Sequence, residues 1–153
     1  MNQPLPVPFL PQSADGYCLP ACVRMVLAYH RIEHAEADVR RMLGARPYGT
    51  PSFAVQRLAI PHITVEYREW SNQELLALLD RGAPLIIFVR TGFLDYWETD
   101  VAHAIIVTGA EAPNFYWVHD PAQPVAPIAT AWHGLLAAWS EFTYKGALLS
   151  RTP

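Results

Sequence analysis

The stretch "PQSADGYCLPACVRMVLAYH", residues 11–30, decides the fold because it joins an extended arm to one nearly uncharged helical segment. Pro20 suits the first turn of a helix, where its missing N–H costs nothing. From Cys18 to Tyr29 the only charged side chain is Arg24. Because a helix that is apolar nearly all round must be buried, we predict a central helix that begins at Cys18.

The rest of the chain shows helical and strand patterns in a segregated order. Thr50 and Pro51 have the character of an N-cap and a first helical residue, and residues 71–74, SNQE, form a capping box. Helices followed mostly by strands indicate an α+β fold. The predicted helices are 33–44, 50–61, 71–82 and 130–142, and the predicted strands are 62–70, 83–90, 103–109, 114–121 and 146–150.

Length, charge and composition restrict the class of protein. The 153 residues predict one domain, residues 1–153, and a net charge of −3 without a basic patch argues against a nucleic-acid partner. No apolar run approaches the roughly 18–20 residues of a membrane span, and the N-terminus has no signal-peptide pattern. Two cysteines are too few for a disulfide scaffold. These features predict a reduced, cytoplasmic protein; nothing in them specifies an oligomeric state.

Three residues far apart in the chain have the character of a catalytic triad. Cys18 lies at the start of the predicted helix, where unpaired N–H groups stabilise a thiolate. His103 begins an apolar strand and Asp120 ends the next one, so adjacent strand ends would bring a carboxylate to an imidazole. The alternative is that Cys18 is a small buried residue and that Asp120 with Pro121 forms an ordinary turn.

Two other patterns predict metal sites instead. Residues 30–34, HRIEH, match the inverted zinc-peptidase pattern H-x-x-E-H, which requires one continuous helix, although here it straddles the predicted helix end. Cys18 and Cys22 lie one helical turn apart and could be a metal or redox pair, although a structural zinc site needs four ligands. The simpler interpretations are a polar loop for the first pattern and core packing of Cys22 for the second.

The sequence alone does not assign a role to two further features. The aromatic residues Phe93, Tyr96 and Trp97 lie in a predicted loop between two core strands, where they either line a cleft or cap the core. His119, next to Asp120, is expected at the edge of a cleft or on the surface because neighbours along a strand alternate faces.

The chain resembles the papain-like cysteine peptidases of the bacteriocin-processing, double-glycine type and their free-standing relatives. That family has a glutamine, a short spacer and Cys-Gly-Pro-Ala-(Cys/Ser) opening the central helix, and this chain has Gln12 and then residues 18–22, CLPAC. Its second block is a histidine starting an apolar strand that ends in glycine, as in residues 103–109, HAIIVTG. Its third is Asp-Pro after a strand, as at residues 120–121. The resemblance covers nearly the whole chain.

This resemblance implies a papain-like α+β fold and a role for each matching residue. Cys18 would be the nucleophile, His103 the general base and acid, and Asp120 the residue that orients His103. Gln12 would donate its side-chain N–H to the oxyanion, together with the backbone N–H of Cys18. The implied reaction is hydrolysis of a peptide or isopeptide bond in a peptide or protein substrate, with neither a metal nor a cofactor. The family's exporters fuse such a domain to membrane and ATPase segments, and this sequence shows neither kind of segment. We therefore expect that the substrate need not be a double-glycine leader.

The residue after the nucleophile departs from the family pattern. Glycine is usual there, and Leu19 would narrow the cleft, change the specificity or weaken catalysis. Three functions therefore stay open on the same fold: a peptidase, a non-catalytic module that binds an extended peptide, and an acyl transferase that uses the same triad with a different acceptor. Fold alone does not separate them.

Overall fold

The computed structural model describes residues 3–153, so the first two residues of the predicted arm lie outside it. Two 3-10 helices, Ser52–Arg57 and Thr91–Phe93, accompany the regular elements. In chain order the regular elements are α1 Cys18–Tyr29, α2 Glu36–Leu43, β1 Ile63–Glu69, α3 Asn72–Asp80, β2 Leu85–Arg90, β3 Ala102–Glu111, β4 Phe115–His119, β5 Ile128–Ala131, α4 Trp132–Ser140 and β6 Lys145–Arg151.

The sheet is antiparallel throughout and positions the ends of β3 and β4 side by side. Its strand order is β1-β6-β2-β3-β4-β5. The apolar runs of β2 and β3 pair in the middle of the sheet, with Val89 opposite His103, and Ile106 of β3 lies opposite His119 of β4. β2 and β3 are buried on both faces of the sheet, as their continuous apolar sequences predict.

The predicted central helix is confirmed. α1 begins at Cys18, and Leu19, Cys22 and Met25 are each at most 1% exposed. The Cys22 thiol lies 3.4 Å from the carbonyl oxygen of Ala104, which joins α1 directly to β3. The order of elements confirms an α+β fold in which one buried helix packs on the sheet.

The predicted helix over 50–61 is wrong in type and in its N-cap. Pro51 rather than Thr50 is the N-cap residue, in an extended conformation, and the helix is a 3-10 helix that ends at Arg57. The Ala54 N–H bonds to the Pro51 carbonyl, and Leu58 N–H bonds to the Val55 carbonyl. These three-residue spacings wind the segment too tightly for an α-helix.

Strand β5 was not predicted from the sequence. Its four residues, Ile128–Ala131, pair with β4 at the edge of the sheet. So short a segment, with two alanines, shows no clear alternation, and a strand is identified there only by its pairing.

The N-terminal arm is bound to the sheet along its length. Leu5 N–H donates to the Thr108 carbonyl oxygen, and His119 Nε2–H donates to that of Val7 over 2.8 Å. His119 is only 3% exposed, so its expected place at a cleft edge or on the surface is wrong. The side chain points from β4 toward the arm, which covers this face of the strand. Across residues 3–153, no helix is both long and apolar enough to span a bilayer.

Candidate active site

Cys18 lies at an uncapped helix N-terminus that opens on a cleft. The N-cap residue is Tyr17, whose side chain makes no capping hydrogen bond, and the first turn of α1 contains no acidic residue. The first N–H groups of a helix have no partner within it, and together with the helix dipole they favour a negative charge at this end. The Cys18 side chain lines the cleft and is only partly buried.

His103 and Asp120 are brought together by neighbouring antiparallel strands. His103 Nε2–H donates to Asp120 Oδ1 over 2.6 Å, and the two residues are 7% and 0% exposed. This bond leaves Nδ1 as the ring nitrogen of His103 that does not bond to Asp120, and His103 and Cys18 line the same cleft. The predicted meeting of a carboxylate and an imidazole at adjacent strand ends is therefore seen in the structure.

The environment favours the charged forms of both groups. Burial of His103 lowers its pKa, but the hydrogen bond to Asp120, the interaction with Cys18 and the charge of Asp120 outweigh burial and raise it to about 9. Burial alone would raise the pKa of Asp120, yet the hydrogen bond and charge of His103, helped by the N–H donors of Trp97 and Ala122, hold it below its usual value. At neutral pH the pair is thus an imidazolium next to a carboxylate.

Gln12 reaches the cleft from the arm. Its backbone N–H donates to the Pro121 carbonyl oxygen over 2.9 Å, which ties the arm to the chain just after Asp120. The side chain lines the same cleft as Cys18 and His103. Its buried Oε1 has no hydrogen-bond partner among residues 3–153.

Two donors from the β2–β3 loop complete the surroundings of Asp120. Tyr96 Oη–H and Trp97 Nε1–H both donate to Asp120 Oδ2, over 2.7 Å and 2.9 Å. The Trp97 ring also meets the ring of His103 edge-on, with centroids 5.0 Å apart. Sequence reasoning identified this aromatic loop but left its role open, and Phe93, the third aromatic residue, is 47% exposed.

The cleft has a volume of about 650 Å³ and walls that are mainly apolar. Leu19 is 1% exposed and packs in the core while touching the cleft floor, so its side chain does not fill the space above Cys18. On one wall, Gly16 has φ +88°, and a Cβ there would lie 2.1 Å from the Pro47 carbonyl oxygen. Glycine therefore allows this wall to close tightly. Other lining residues are Tyr48, Phe88, Trp97, Val101 and Phe142.

The H-x-x-E-H pattern does not form the helical site that a zinc peptidase requires. α1 ends at Tyr29, His30 is its C-cap residue and Arg31 has φ +64°, so Glu33 and His34 follow outside the helix. His30 Nε2–H donates to the Leu149 carbonyl oxygen over 3.0 Å. Glu33 and His34 line a second groove of about 1190 Å³ between the arm, α1 and α2, to which none of the triad residues contributes. The polar-loop interpretation is correct.

Cys22 behaves as a core residue. It is fully buried, and burial, with the nearby charges of Cys18 and Asp120, raises the pKa of its thiol well above the usual value. Both cysteines are free thiols. Within the described part of the chain, no three His, Cys, Asp or Glu side chains are grouped so as to hold a metal ion.

Comparison with known proteins points to one family. Residues 4–146 match the model of the Peptidase_C39 like family. Curated proteins provide no significant match to the sequence.

Three solved structures share the fold. A candidate C39-like peptidase from Bacillus anthracis has a TM-score of 0.76 at 16% identity, covering 99% of this chain and 100% of the other. The peptidase domain of Streptococcus ComA, a bi-functional ABC transporter involved in quorum sensing, has a TM-score of 0.76 at 18% identity, covering 95% and 99%. A double-glycine motif protease from an AMS/PCAT transporter, in complex with the leader peptide, has a TM-score of 0.73 at 16% identity, covering 99% and 96%. The predicted papain-like fold is confirmed.

Proposed function

Because the chain belongs to the Peptidase_C39 like family, a family of cysteine peptidases, we propose that Cys18, His103 and Asp120 are its catalytic triad. The observation that carries this proposal is the buried hydrogen bond from His103 Nε2–H to Asp120 Oδ1, beside a cleft that His103 and Cys18 both line. The Cys18 thiol lies at an uncapped helix N-terminus in this cleft, which has a volume of about 650 Å³. A nucleophile, a base and a group that orients the base are the three parts that thiol acyl transfer needs.

In the first half of the proposed reaction, the Cys18 proton is already on Nδ1 of the His103 imidazolium, and the thiolate attacks the carbonyl carbon of the scissile bond. The tetrahedral oxyanion accepts hydrogen bonds from the Cys18 backbone N–H and from the Gln12 side-chain amide. His103 then gives its proton to the leaving nitrogen, the C–N bond breaks, and a thioester on Cys18 remains. Asp120 stays ionised and stabilises the imidazolium throughout.

In the second half, water replaces the departed amine in the cleft. His103 removes a proton from this water as it attacks the thioester, and the same two donors hold the second oxyanion. The C–S bond then breaks, Cys18 leaves as the thiolate, and the carboxylic acid product departs. If an amine entered instead of water, the same residues would transfer the acyl group, which is the alternative reaction.

We propose a peptide in extended conformation as the substrate. The cleft has a volume of about 650 Å³, and its walls combine aromatic side chains with residues 49–51. One structural neighbour was solved with a leader peptide bound, which makes a peptide with a double-glycine sequence the first substrate to test. The burial of Leu19 removes the main argument for a non-catalytic binding module, since its side chain leaves the cleft open.

The test is cleavage of a diverse peptide library, with a double-glycine peptide included, read by mass spectrometry of the new termini. We expect cleavage by the wild-type protein and none by the Cys18→Ala variant. Products joined to an added amine, such as glycinamide, would identify acyl transfer instead of hydrolysis. Binding of library peptides without any covalent change would overturn the proposal in favour of a binding module.

Gln12→Ala is expected to lower kcat by roughly a hundredfold to a thousandfold and to leave KM almost unchanged. One oxyanion donor contributes about this factor, and it acts on the transition state rather than on the ground state. The measurement is steady-state hydrolysis of whichever library peptide is cleaved.

Gln3→Ala is the matched control, because it removes a second glutamine side chain from the same arm and leaves the oxyanion donors intact. An effect of Gln12→Ala confined to KM would contradict an oxyanion role and assign Gln12 to substrate binding.

A further inference from the structure

Two side chains of the β2–β3 loop, Tyr96 and Trp97, donate hydrogen bonds to the carboxylate of Asp120. Asp120 accepts four hydrogen bonds: His103 Nε2–H and Ala122 N–H on Oδ1, and Tyr96 Oη–H and Trp97 Nε1–H on Oδ2. Each carboxylate oxygen therefore has two donors, and the group is 0% exposed. A carboxylate held on both oxygens cannot rotate about its terminal torsion without losing bonds on each side.

The base of this loop is closed by several contacts, so the two donors are held in place. Thr91 Oγ1–H donates to the Thr99 carbonyl oxygen over 2.7 Å and accepts from Val101 N–H over 2.9 Å. Asp100 bonds to Arg90 and accepts from Gly92 N–H, each over 3.2 Å. The loop thus leaves and rejoins the sheet through one hydrogen-bonded neck.

The far side of the loop is tied to the edge of the sheet. Asp95 accepts from Thr130 Oγ1–H over 2.8 Å and from Ala131 N–H over 3.2 Å, both in β5. Tyr96 and Trp97 follow directly and turn inward toward Asp120. With both ends fixed, their donors are pre-organised before any substrate binds.

Resting on the proposed triad, we propose that Tyr96 and Trp97 are positioning residues that keep Asp120 ionised and turned so that Oδ1 faces His103. The two donors compensate the buried carboxylate for the water it has lost. The Trp97 ring also covers the His103–Asp120 pair on the cleft side. Without the donors, the charged form of Asp120 is less stable, and the carboxylate takes up a proton at a higher pH.

The test measures the rate of iodoacetamide alkylation of Cys18 against pH in Tyr96→Phe, Trp97→Phe and the wild type. It compares the acid limb of each profile, which is the pH range on the acid side over which the rate falls. Both changes keep an aromatic ring and remove a donor; Tyr96→Phe removes nothing else, whereas Trp97→Phe also shortens the ring that contacts His103. The thiolate–imidazolium pair depends on ionised Asp120, so we expect each variant to move the acid limb upward by about one pH unit. A role in packing alone would lower stability and leave the limb in place.

Tyr29→Phe is the matched control. It removes a tyrosine hydroxyl that donates to the Gly82 carbonyl oxygen over 2.7 Å, away from the cleft. We expect it to lose a similar amount of stability and to keep the wild-type acid limb. Acid limbs of Tyr96→Phe and Trp97→Phe that coincide with that of the wild type would overturn the proposal, as would an equal shift in Tyr29→Phe.

A second readout separates this proposal from the proposed function. NMR of the ¹⁵N-labelled protein follows His103 Nε2, and through it the ionisation of Asp120, without any reactive thiol. Suppose that the acid-side titration of the His103 Nε2 resonance is shifted in the Tyr96→Phe and Trp97→Phe variants while Cys18 is unreactive. This result would support the positioning role and reject the peptidase mechanism. If Cys18 is reactive and loses this reactivity in His103→Ala, but the titration of the Nε2 resonance is unshifted in the two variants, the positioning role is rejected and the mechanism is kept.

Discussion

Replacing Cys18 by Ser is expected to lower kcat/KM for peptide hydrolysis by roughly four to six orders of magnitude. A hydroxyl fits the same space, but His103 cannot ionise it at neutral pH as it can a thiol. The measurement is the initial rate of cleavage of a library peptide that the wild-type protein cleaves. Binding of that peptide should persist, because the cleft walls do not change.

Cys22→Ala is the internal control for this result. Cys22 lies one turn further along the same helix, is fully buried, and has its thiol against the Ala104 carbonyl oxygen. Its replacement should cost some stability through a small cavity and leave kcat/KM within about twofold of wild type, since it touches no reacting atom. Substantial hydrolysis by Cys18→Ser, or an equal loss in Cys22→Ala, would contradict the assignment of Cys18 as nucleophile.

Asp120→Asn is expected to lower kcat/KM by on the order of a thousandfold to ten-thousandfold. Against the effect of burial, the carboxylate, together with Cys18, raises the pKa of His103 to about 9. An amide has no charge to stabilise the imidazolium, so at neutral pH the His103 proton is lost and the thiolate loses its partner. Steady-state rates measured from acid to neutral pH give this effect directly.

The same substitution also disturbs the hydrogen bonds around the group. Both oxygens of Asp120 accept from N–H donors, with Ala122 N–H on one and Trp97 Nε1–H on the other. The amide nitrogen of Asn faces one of these donors in either orientation, and a buried unsatisfied donor costs about 1–3 kcal/mol of unfolding free energy. Urea denaturation measures this loss, which is separate from the kinetic effect.

Asp95→Asn is the matched control for Asp120→Asn. Asp95 is a carboxylate in the same region that accepts from Thr130 and Ala131 and does not contact His103. We expect a loss of stability and only a small kinetic effect, transmitted through the loop that carries Tyr96 and Trp97, without the large kinetic defect of Asp120→Asn. Near wild-type activity in Asp120→Asn would show that the imidazole needs no carboxylate, and the triad would reduce to a Cys-His pair.

The parts of the fold that the sequence predicts well are those with strong local signals. α1 combines a proline in its first turn with an uninterrupted apolar surface, and β2 and β3 are continuous apolar runs. A local signal also determines where α3 begins, because the predicted capping box at Ser71 and Glu74 is formed. The 3-10 helix at Ser52–Arg57 and the short strand β5 are decided by tertiary contacts, for which the local sequence has no signal.

Predicting the candidate site depends on topology in the same way. Adjacent strands predicted the meeting of His103 and Asp120 because antiparallel neighbours bring strand ends together. The roles of Tyr96 and Trp97 were not predictable, because an aromatic loop has the same composition whether it caps a core or donates to a carboxylate. His119 was misplaced for a related reason. Alternation along β4 does not reveal that the N-terminal arm covers that face.

The most direct test of the proposed thiolate–imidazolium pair is the rate of iodoacetamide alkylation of Cys18 against pH, for the wild type and His103→Ala, read by peptide mass spectrometry. Cys22 is the control within the same molecule, since burial raises the pKa of its thiol. We predict fast alkylation of Cys18 below about pH 7, where a free thiol is largely protonated, and loss of that reactivity in His103→Ala. Alkylation of Cys18 that is no faster than that of Cys22, or that does not change in His103→Ala, would contradict the pair and with it the catalytic assignment.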